Sequence, residues 1–400
     1  MSIWQVRLRA PLKGTPMHTF TRAHARISLP TQLGAVMLAV GLVAGTAGCG
    51  ASAVSGDKSP AAAPQPASQP AKVVLAEQTI AGADPGVELY LREKRSSAGA
   101  QAAKGKVVVF LEPFGVPTAK AFDVPGMSWM DSLAGAGYDT WALDFRGFGS
   151  SSRPPAMSQK PMANPPISTT AEAVRDLDAA IRFISKARGV EKVSLVGWSW
   201  GGVVGGAYAA AHPARVDKLV LHGAMHSFSL PMMTKPMESA PGVMKPLPAY
   251  LPVSFDQTTK GHWNMMMAGR PLASPASLEA VSKVFMAADA TSGQRTPPTI
   301  RRAMGPMVDL YSIWSNKATY DATKVTAPVL VIRGDSDHFA DPTLFCSLTN
   351  SADRREVIIP EATHWALYEK NRNVLLSETQ TFLGASPAST PPGDVAKCKK

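Results

Sequence analysis

The chain has 400 residues, 45% of them hydrophobic and 18% charged, with a formal net charge of +11; that is enough apolar material for one elaborated catalytic domain with appendages. Five of the positive charges, Arg7, Arg9, Lys13, Arg22 and Arg26, precede the first acidic residue, and without residues 1–48 the balance is 36 basic against 30 acidic. No basic run is interleaved with aromatics, so the composition argues against a nucleic-acid surface and for an ordinary solvated face.

From the start of the chain, scattered basic residues lead into the apolar run 33–48, LGAVMLAVGLVAGTAG, and then Cys49. A charged start, an apolar middle and small residues at the end are the layout of a secretory signal, and the run is short against the roughly 20 apolar residues of a membrane span. Thr46-Ala47-Gly48-Cys49 resembles a bacterial lipobox, with Thr46 where that motif usually carries Leu or Val. The resemblance implies acylation of Cys49 and an exported protein anchored to a bacterial membrane. Ordinary cleavage near Ala47 is the alternative, and Met17 is an alternative initiator.

Residues 49–72 are rich in Ala, Pro and Ser with few large apolar side chains, which predicts a flexible linker between anchor and enzyme. The segment 385–400 has the same character and reads as a flexible tail. With Cys49 lipidated, Cys346 and Cys398 remain as an even pair in an oxidising compartment; a disulfide between them stays open beside two free thiols.

Between 73 and 384, compact runs of Val, Ile and Leu (Val107–Leu111, Thr140–Leu143, Val193–Val196, Lys218–Leu221, Val329–Ile332, Glu356–Ile359) alternate with helix-length stretches such as Thr170–Ala187, Gly202–Ala211 and Asn371–Phe382. Buried parallel strands joined by helices have this pattern, so the fold class is α/β, a mostly parallel sheet with helices on both faces. Val87–Lys94 alternates apolar and charged residues and is expected as an antiparallel strand at the sheet edge. Residues 224–323, rich in Met, Pro and Trp, interrupt the alternation between the sixth and seventh sheet strands, and predict a largely helical cap. Its methionines either line an adaptable apolar pocket or pack the cap on the body.

The chemistry sits at three strand ends. Val193–Val196 runs into Gly197-Trp198-Ser199-Trp200-Gly201 and then a small-residue helix. This is G-x-S-x-G between strand and helix, a turn so tight that side chains at its glycines would meet backbone; it makes Ser199 the nucleophile. Serine needs a base, and the base an orienting carboxylate. Val329–Ile332 leads into Asp335-Ser336-Asp337-His338, and Glu356–Ile359 leads to His364-Trp365. The order Ser, Asp, His gives a triad of Ser199, Asp337 and His364, with Asp335 the rival acid and His338 the rival base.

The elbow, the segment Leu143-Asp144-Phe145-Arg146-Gly147-Phe148-Gly149, His212-Pro213-Ala214-Arg215, and the Gly-x-x-Asp and His-Trp segments together resemble the α/β-hydrolase superfamily, in its esterase, lipase and proline-iminopeptidase branch. The resemblance spans about Val107 to Phe382 apart from the cap. It implies attack of Ser199 on an acyl carbon, proton transfer through His364 and hydrolysis of the acyl-enzyme, with Asp144 structural. Where that family usually has His-Gly after the first parallel strand, this chain has Glu112-Pro113-Phe114-Gly115. Proline has no amide hydrogen, so the expected oxyanion donors are the N–H groups of Phe114 and Trp200. Glu112 is expected to face solvent, with an altered pocket charge as the alternative.

Trp198, His226, Phe339 and Trp365 are the candidate substrate-pocket residues. Relatives that form an ester on aspartate, the haloalkane dehalogenases and epoxide hydrolases, need Asp where this chain has Ser199. No HExxH, Cys/His cluster or Walker loop is present, so neither metal nor cofactor is expected. The resulting expectation is a membrane-anchored serine hydrolase of small or medium apolar carboxylic esters. A proline-iminopeptidase-like aminopeptidase is the second reading, which would need the cap acids Glu238 and Glu279 to grip an amine. A non-catalytic binding lipoprotein on a hydrolase scaffold is the third.

Overall fold

The computed structural model describes residues 72–97, 105–351, 353–386 and 398. The expected signal peptide, the acylated Cys49, nearly all of the linker and most of the tail lie outside the described residues. Eight strands form one sheet: β1 (Val73–Ala81), β2 (Glu88–Ser96), β3 (Val107–Leu111), β4 (Asp139–Leu143), β5 (Val193–Trp198), β6 (Val216–His222), β7 (Val329–Gly334) and β8 (Arg354–Ile359). Their order is β1-β2-β4-β3-β5-β6-β7-β8, antiparallel through β1, β2 and β4 and parallel from β4 to β8. β3, β4 and β5 are buried at every position, which explains their unbroken apolar sequence: both faces are covered by helices.

The edge differs from expectation. Val87–Lys94 corresponds to β2, which is interior, and β1 is the true edge. β1 is mostly exposed along its length, so its sequence carries little hydrophobic signal.

Helices α1 (Trp129–Gly135), α2 (Thr170–Arg188), α3 (Trp200–Ala211) and, at the end, α7 (Arg372–Gly384) flank the sheet. α2 shows why its sequence starts and stops where it does. Thr169 and Glu172 form a reciprocal capping box, and Gly189 closes the helix at φ +64°. The C-terminus of α7 is held to the sheet by Lys218 of β6, whose Nζ donates to the carbonyls of Phe382 (3.2 Å), Leu383 (2.7 Å) and Ala385 (2.5 Å). Cys346 and Cys398 are joined by a disulfide with a Cα–Cα distance of 5.3 Å.

Between β6 and β7 the cap holds α4 (Gly261–Met267), α5 (Pro275–Met286) and α6 (Gly305–Trp314), together with two two-stranded ribbons, Tyr250–Val253 with Ile300–Ala303 and Glu238–Ala240 with Val243–Met244. It is less helical than its length led one to expect. Prolines at 236, 241, 246, 248, 252, 271, 297 and 298 deny the backbone N–H groups that longer helices need. Of the cap methionines, Met225, Met233, Met237, Met266, Met267, Met304 and Met307 are buried in the common core, so they pack the cap on the body, while Met232 and Met265 are exposed. Among the described residues no helix is long and apolar enough to cross a membrane.

Candidate active site

The turn from β5 to α3 forces Ser199 to φ +57°, ψ −119°, a conformation costly for a residue with a Cβ and kept only where the surroundings impose it. The glycines around it explain the imposition. A Cβ at Gly197 would come within 2.5 Å of the Gly201 carbonyl oxygen, one at Gly201 would overlap the Leu111 carbonyl, and one at Gly202 would lie 2.5 Å from Ala224 Cβ. The elbow is therefore in backbone contact with the end of β3, where the oxyanion loop begins.

Ser199 N–H donates to the His222 carbonyl at the end of β6 (2.8 Å). The next residue, Gly223 at φ +54°, lies against Asp337 and His364: a Cβ there would be 2.8 Å from Asp337 Oδ2 and 3.0 Å from His364 Nδ1. His364 Nδ1 is 2.9 Å from both Asp337 oxygens, and both side chains are buried. A carboxylate is acceptor-only, so Nδ1 carries the proton and leaves Nε2 to accept one. Burial alone would raise the Asp337 carboxyl, but His364 and the N–H of Ala340 outweigh it and hold it below the usual carboxylate range. The rivals stand elsewhere. Asp335 is exposed and accepts from the N–H groups of Glu361 (2.9 Å) and Ala362 (3.3 Å), and His338 is exposed.

His222 is wholly buried beneath this group, its ring 5.5 Å from Trp198, and burial pushes it down to about 4, so it stays neutral.

At the oxyanion loop, Trp200 is the first residue of α3, so its N–H has no intrahelical acceptor, and Gly115 at φ +94° turns the chain after Phe114. Glu112 does not face solvent. It is completely buried, and its Oε2 accepts from Thr118 N (3.1 Å). The end of the central strand β3 has no route to water, and burial, with Asp144 nearby, pushes Glu112 well above the carboxylate range. Its charged form is disfavoured there. Asp144 accepts from Ala119 N (2.9 Å) and Ser150 N (3.1 Å), pinning the 144–150 loop, and burial raises it to about 6.

Two polar chains tie the cap to the site. Trp200 Nε1 donates to Thr170 Oγ1 (3.0 Å), which donates to Asp309 of α6 (2.7 Å). Trp263 of α4 donates to Glu369 (2.7 Å), whose other oxygen accepts from Thr363 N (2.8 Å), next to His364.

The four expected pocket residues divide. Phe339 and Trp365 flank the base, with ring centroids 5.3 and 5.4 Å from His364. Trp198 is fully buried among Phe122, His222 and Tyr368 and cannot line a pocket, because it projects into the core below the elbow. His226 is bonded to the Tyr320 carbonyl (3.0 Å) and packed on that ring. A small open cleft lies instead between the loop after β3 and the cap, lined by Phe114, Gly115, Phe255, Phe285, Met286 and Arg302 among others. Phe114, Gly115 and, among the cap methionines, Met286 stand out in the sequence, whereas no motif marks Phe255, Phe285 or Arg302.

The chain is similar to known proteins in agreement with this geometry. Epoxide hydrolase 3 of Xenopus tropicalis is 25% identical over 250 residues, covering 60% of this chain; the match spans about 62% of that relative's own length. Among solved structures, the 2-hydroxy-6-oxo-6-phenylhexa-2,4-dienoate hydrolase of Rhodococcus sp. strain RHA1 superposes with a TM-score of 0.53 at 17% identity, over 78% of this chain and 100% of that one. A hydrolase from Pseudomonas aeruginosa superposes with a TM-score of 0.52 at 19% identity, over 77% and 98%. These likenesses carry the fold. The family description "alpha/beta hydrolase fold" matches residues 124–371, more than half of the sequence, and with the sheet order and the strained elbow on the page, the chain belongs to the α/β-hydrolase fold family.

Proposed function

We propose that this protein is an exported, lipid-anchored serine hydrolase that cleaves carboxylic esters of small or medium substrates through an acyl-enzyme. The observation that carries the reading is the buried Asp337–His364 pair, with Nδ1 2.9 Å from both oxygens, set against Gly223 one residue past the carbonyl that binds Ser199 N–H. Ser199 attacks the ester carbonyl as His364 Nε2 takes its proton. The oxyanion is met by the N–H groups of Trp200 and Phe114, His364 returns the proton to the leaving alcohol, and water repeats the sequence to free the acid. The likeness to an epoxide hydrolase does not extend to its chemistry, since an aspartate nucleophile is required there and Ser199 occupies the elbow. Against the aminopeptidase reading, Glu238 is bonded to Tyr311 (3.1 Å) and Glu279 is exposed and paired with Lys283 (2.6 Å), so neither is set to grip a substrate amine.

Hydrolysis of p-nitrophenyl esters of graded acyl length by the detergent-solubilised full chain, beside Ser199→Ala, tests the proposal. Turnover lost in the variant supports it, and a folded parent inert on every ester removes it. Acyl attachment at Cys49 is read by mass spectrometry of the membrane-extracted protein; an unacylated mature N-terminus would refute the anchor.

A further inference from the structure

Arg302 lies in the cap ribbon opposite Leu251. Its neighbour Arg301 and nearby Arg295 both reach Asp289. Arg302 reaches no carboxylate: among the described residues it has no ion pair, and its buried Nε–H has no acceptor. Burial is the sole cause that lowers its guanidinium, to about 10. The guanidinium carbon lies over the Phe114 ring, 4.2 Å from its centroid, a cation–π contact. The position is built for it, since a Cβ at Gly115 would come within 2.6 Å of Arg302 Cδ.

The Arg302 side chain is half-buried; a buried Nε–H left without an acceptor is costly, and costs of this kind gather at functional sites. Arg302 shares its cleft with Phe114 and Gly115 of the loop after β3, and the remaining walls are largely apolar, including Phe255, Phe285 and Ile300. Its charge reaches His262, whose ring is 5.3 Å from Phe339, itself 5.3 Å from His364. The positive charge thus stands on the cap side of a cleft whose other side is Phe114 and Gly115, with a guanidinium fork suited to two carboxylate oxygens.

We propose that Arg302 reads a carboxylate on the substrate, so that the preferred esters are anionic: half-esters of short dicarboxylic acids, or esters whose alcohol part carries the acid. This rests on the ester-hydrolase reading above and specifies its substrate class.

Two isosteric pairs, with isopropyl in place of the carboxylate, test it on the full chain: monomethyl glutarate against methyl 5-methylhexanoate, with the acid on the acyl side, and acetoxyacetate against isobutyl acetate, with it on the alcohol side. We expect at least a tenfold higher kcat/KM for the anionic member of one pair, which locates the carboxylate. Arg302→Gln should cut that ratio at least tenfold, through KM, and Arg302→Lys should fall between, since it keeps the charge and loses the fork. The lysine variant also serves if the glutamine variant does not fold. A ratio at or below one in both pairs, or a ratio unchanged in the variants, overturns the proposal. If the wild type turns over neither member of either pair, it is the esterase reading that fails. The carboxylate site is then judged by thermal unfolding with glutarate: a midpoint raised in the wild type and not in the variants supports it, and no rise in the wild type overturns it.

Discussion

Replacing Asp337 by Asn changes one atom in the triad, and the structure dictates which one. Asp337 Oδ1 accepts from the N–H groups of Phe339 (3.0 Å) and Ala340 (3.1 Å). An asparagine must keep its oxygen there, because turning the amide would leave two buried donors unpaired at about 1–3 kcal/mol each. The amide nitrogen therefore takes the place of Oδ2 and donates to His364 Nδ1, which pushes the imidazole proton to Nε2. The base then offers Ser199 a donor instead of an acceptor. By analogy with the same exchange in serine proteases, kcat should fall on the order of 10⁴-fold, about 5 kcal/mol of transition-state stabilisation, while the thermal midpoint moves little. The assay is steady-state ester hydrolysis beside a melting curve, with Asp335→Asn as companion. Asp335 bonds only loop groups, so its variant should stay within about threefold. An Asp337→Asn enzyme within tenfold of wild type, or an Asp335→Asn enzyme the weaker of the two, would refute the assignment.

Gly223→Ala should be inactive by about 10² or more, because the new Cβ presses on both Asp337 and His364, and its φ of +54° should cost about 1–2 kcal/mol in urea unfolding; an active, stable variant would contradict the packing described. Thr170→Val leaves the Trp200 indole N–H without its acceptor and Asp309 one donor short, so stability should drop by about 1–3 kcal/mol, read as a lower melting temperature. Asp144 is held near 6 by burial, above its unfolded value. Its contribution is thus complete below about pH 4 and lost as pH rises through 6, and wild-type stability relative to Asp144→Asn should decline by about 3 kcal/mol over that window. Urea titrations from pH 4 to 7 measure this, and a constant difference would show that Asp144 ionises freely.

The parallel half of the sheet was legible because strands buried on both faces are written as unbroken runs such as Val107–Leu111, and the Asp337–His364 pair because each residue follows such a run. Edge strand β1 was not, since exposure frees its residues from any pattern. Glu112 misled for the opposite reason: a carboxylate in sequence looks solvated, and only the depth of β3 and the Thr118 N–H explain a buried one. Gly223 carries no motif, as its role comes from two side chains more than a hundred residues downstream. Arg302 is one of many arginines until the absence of a nearby carboxylate is known, and that is a tertiary fact.

The bond between Cys346 and Cys398 closes the last stretch of chain into a covalent ring that contains β8, His364 and α7 but leaves Ser199 and Asp337 outside. The working unit consequently ends at Cys398 and not at the end of α7. A protease cut within 387–397 opens the ring without shedding either side. A chain shortened to Gly384, by contrast, strands Cys346 as a free thiol.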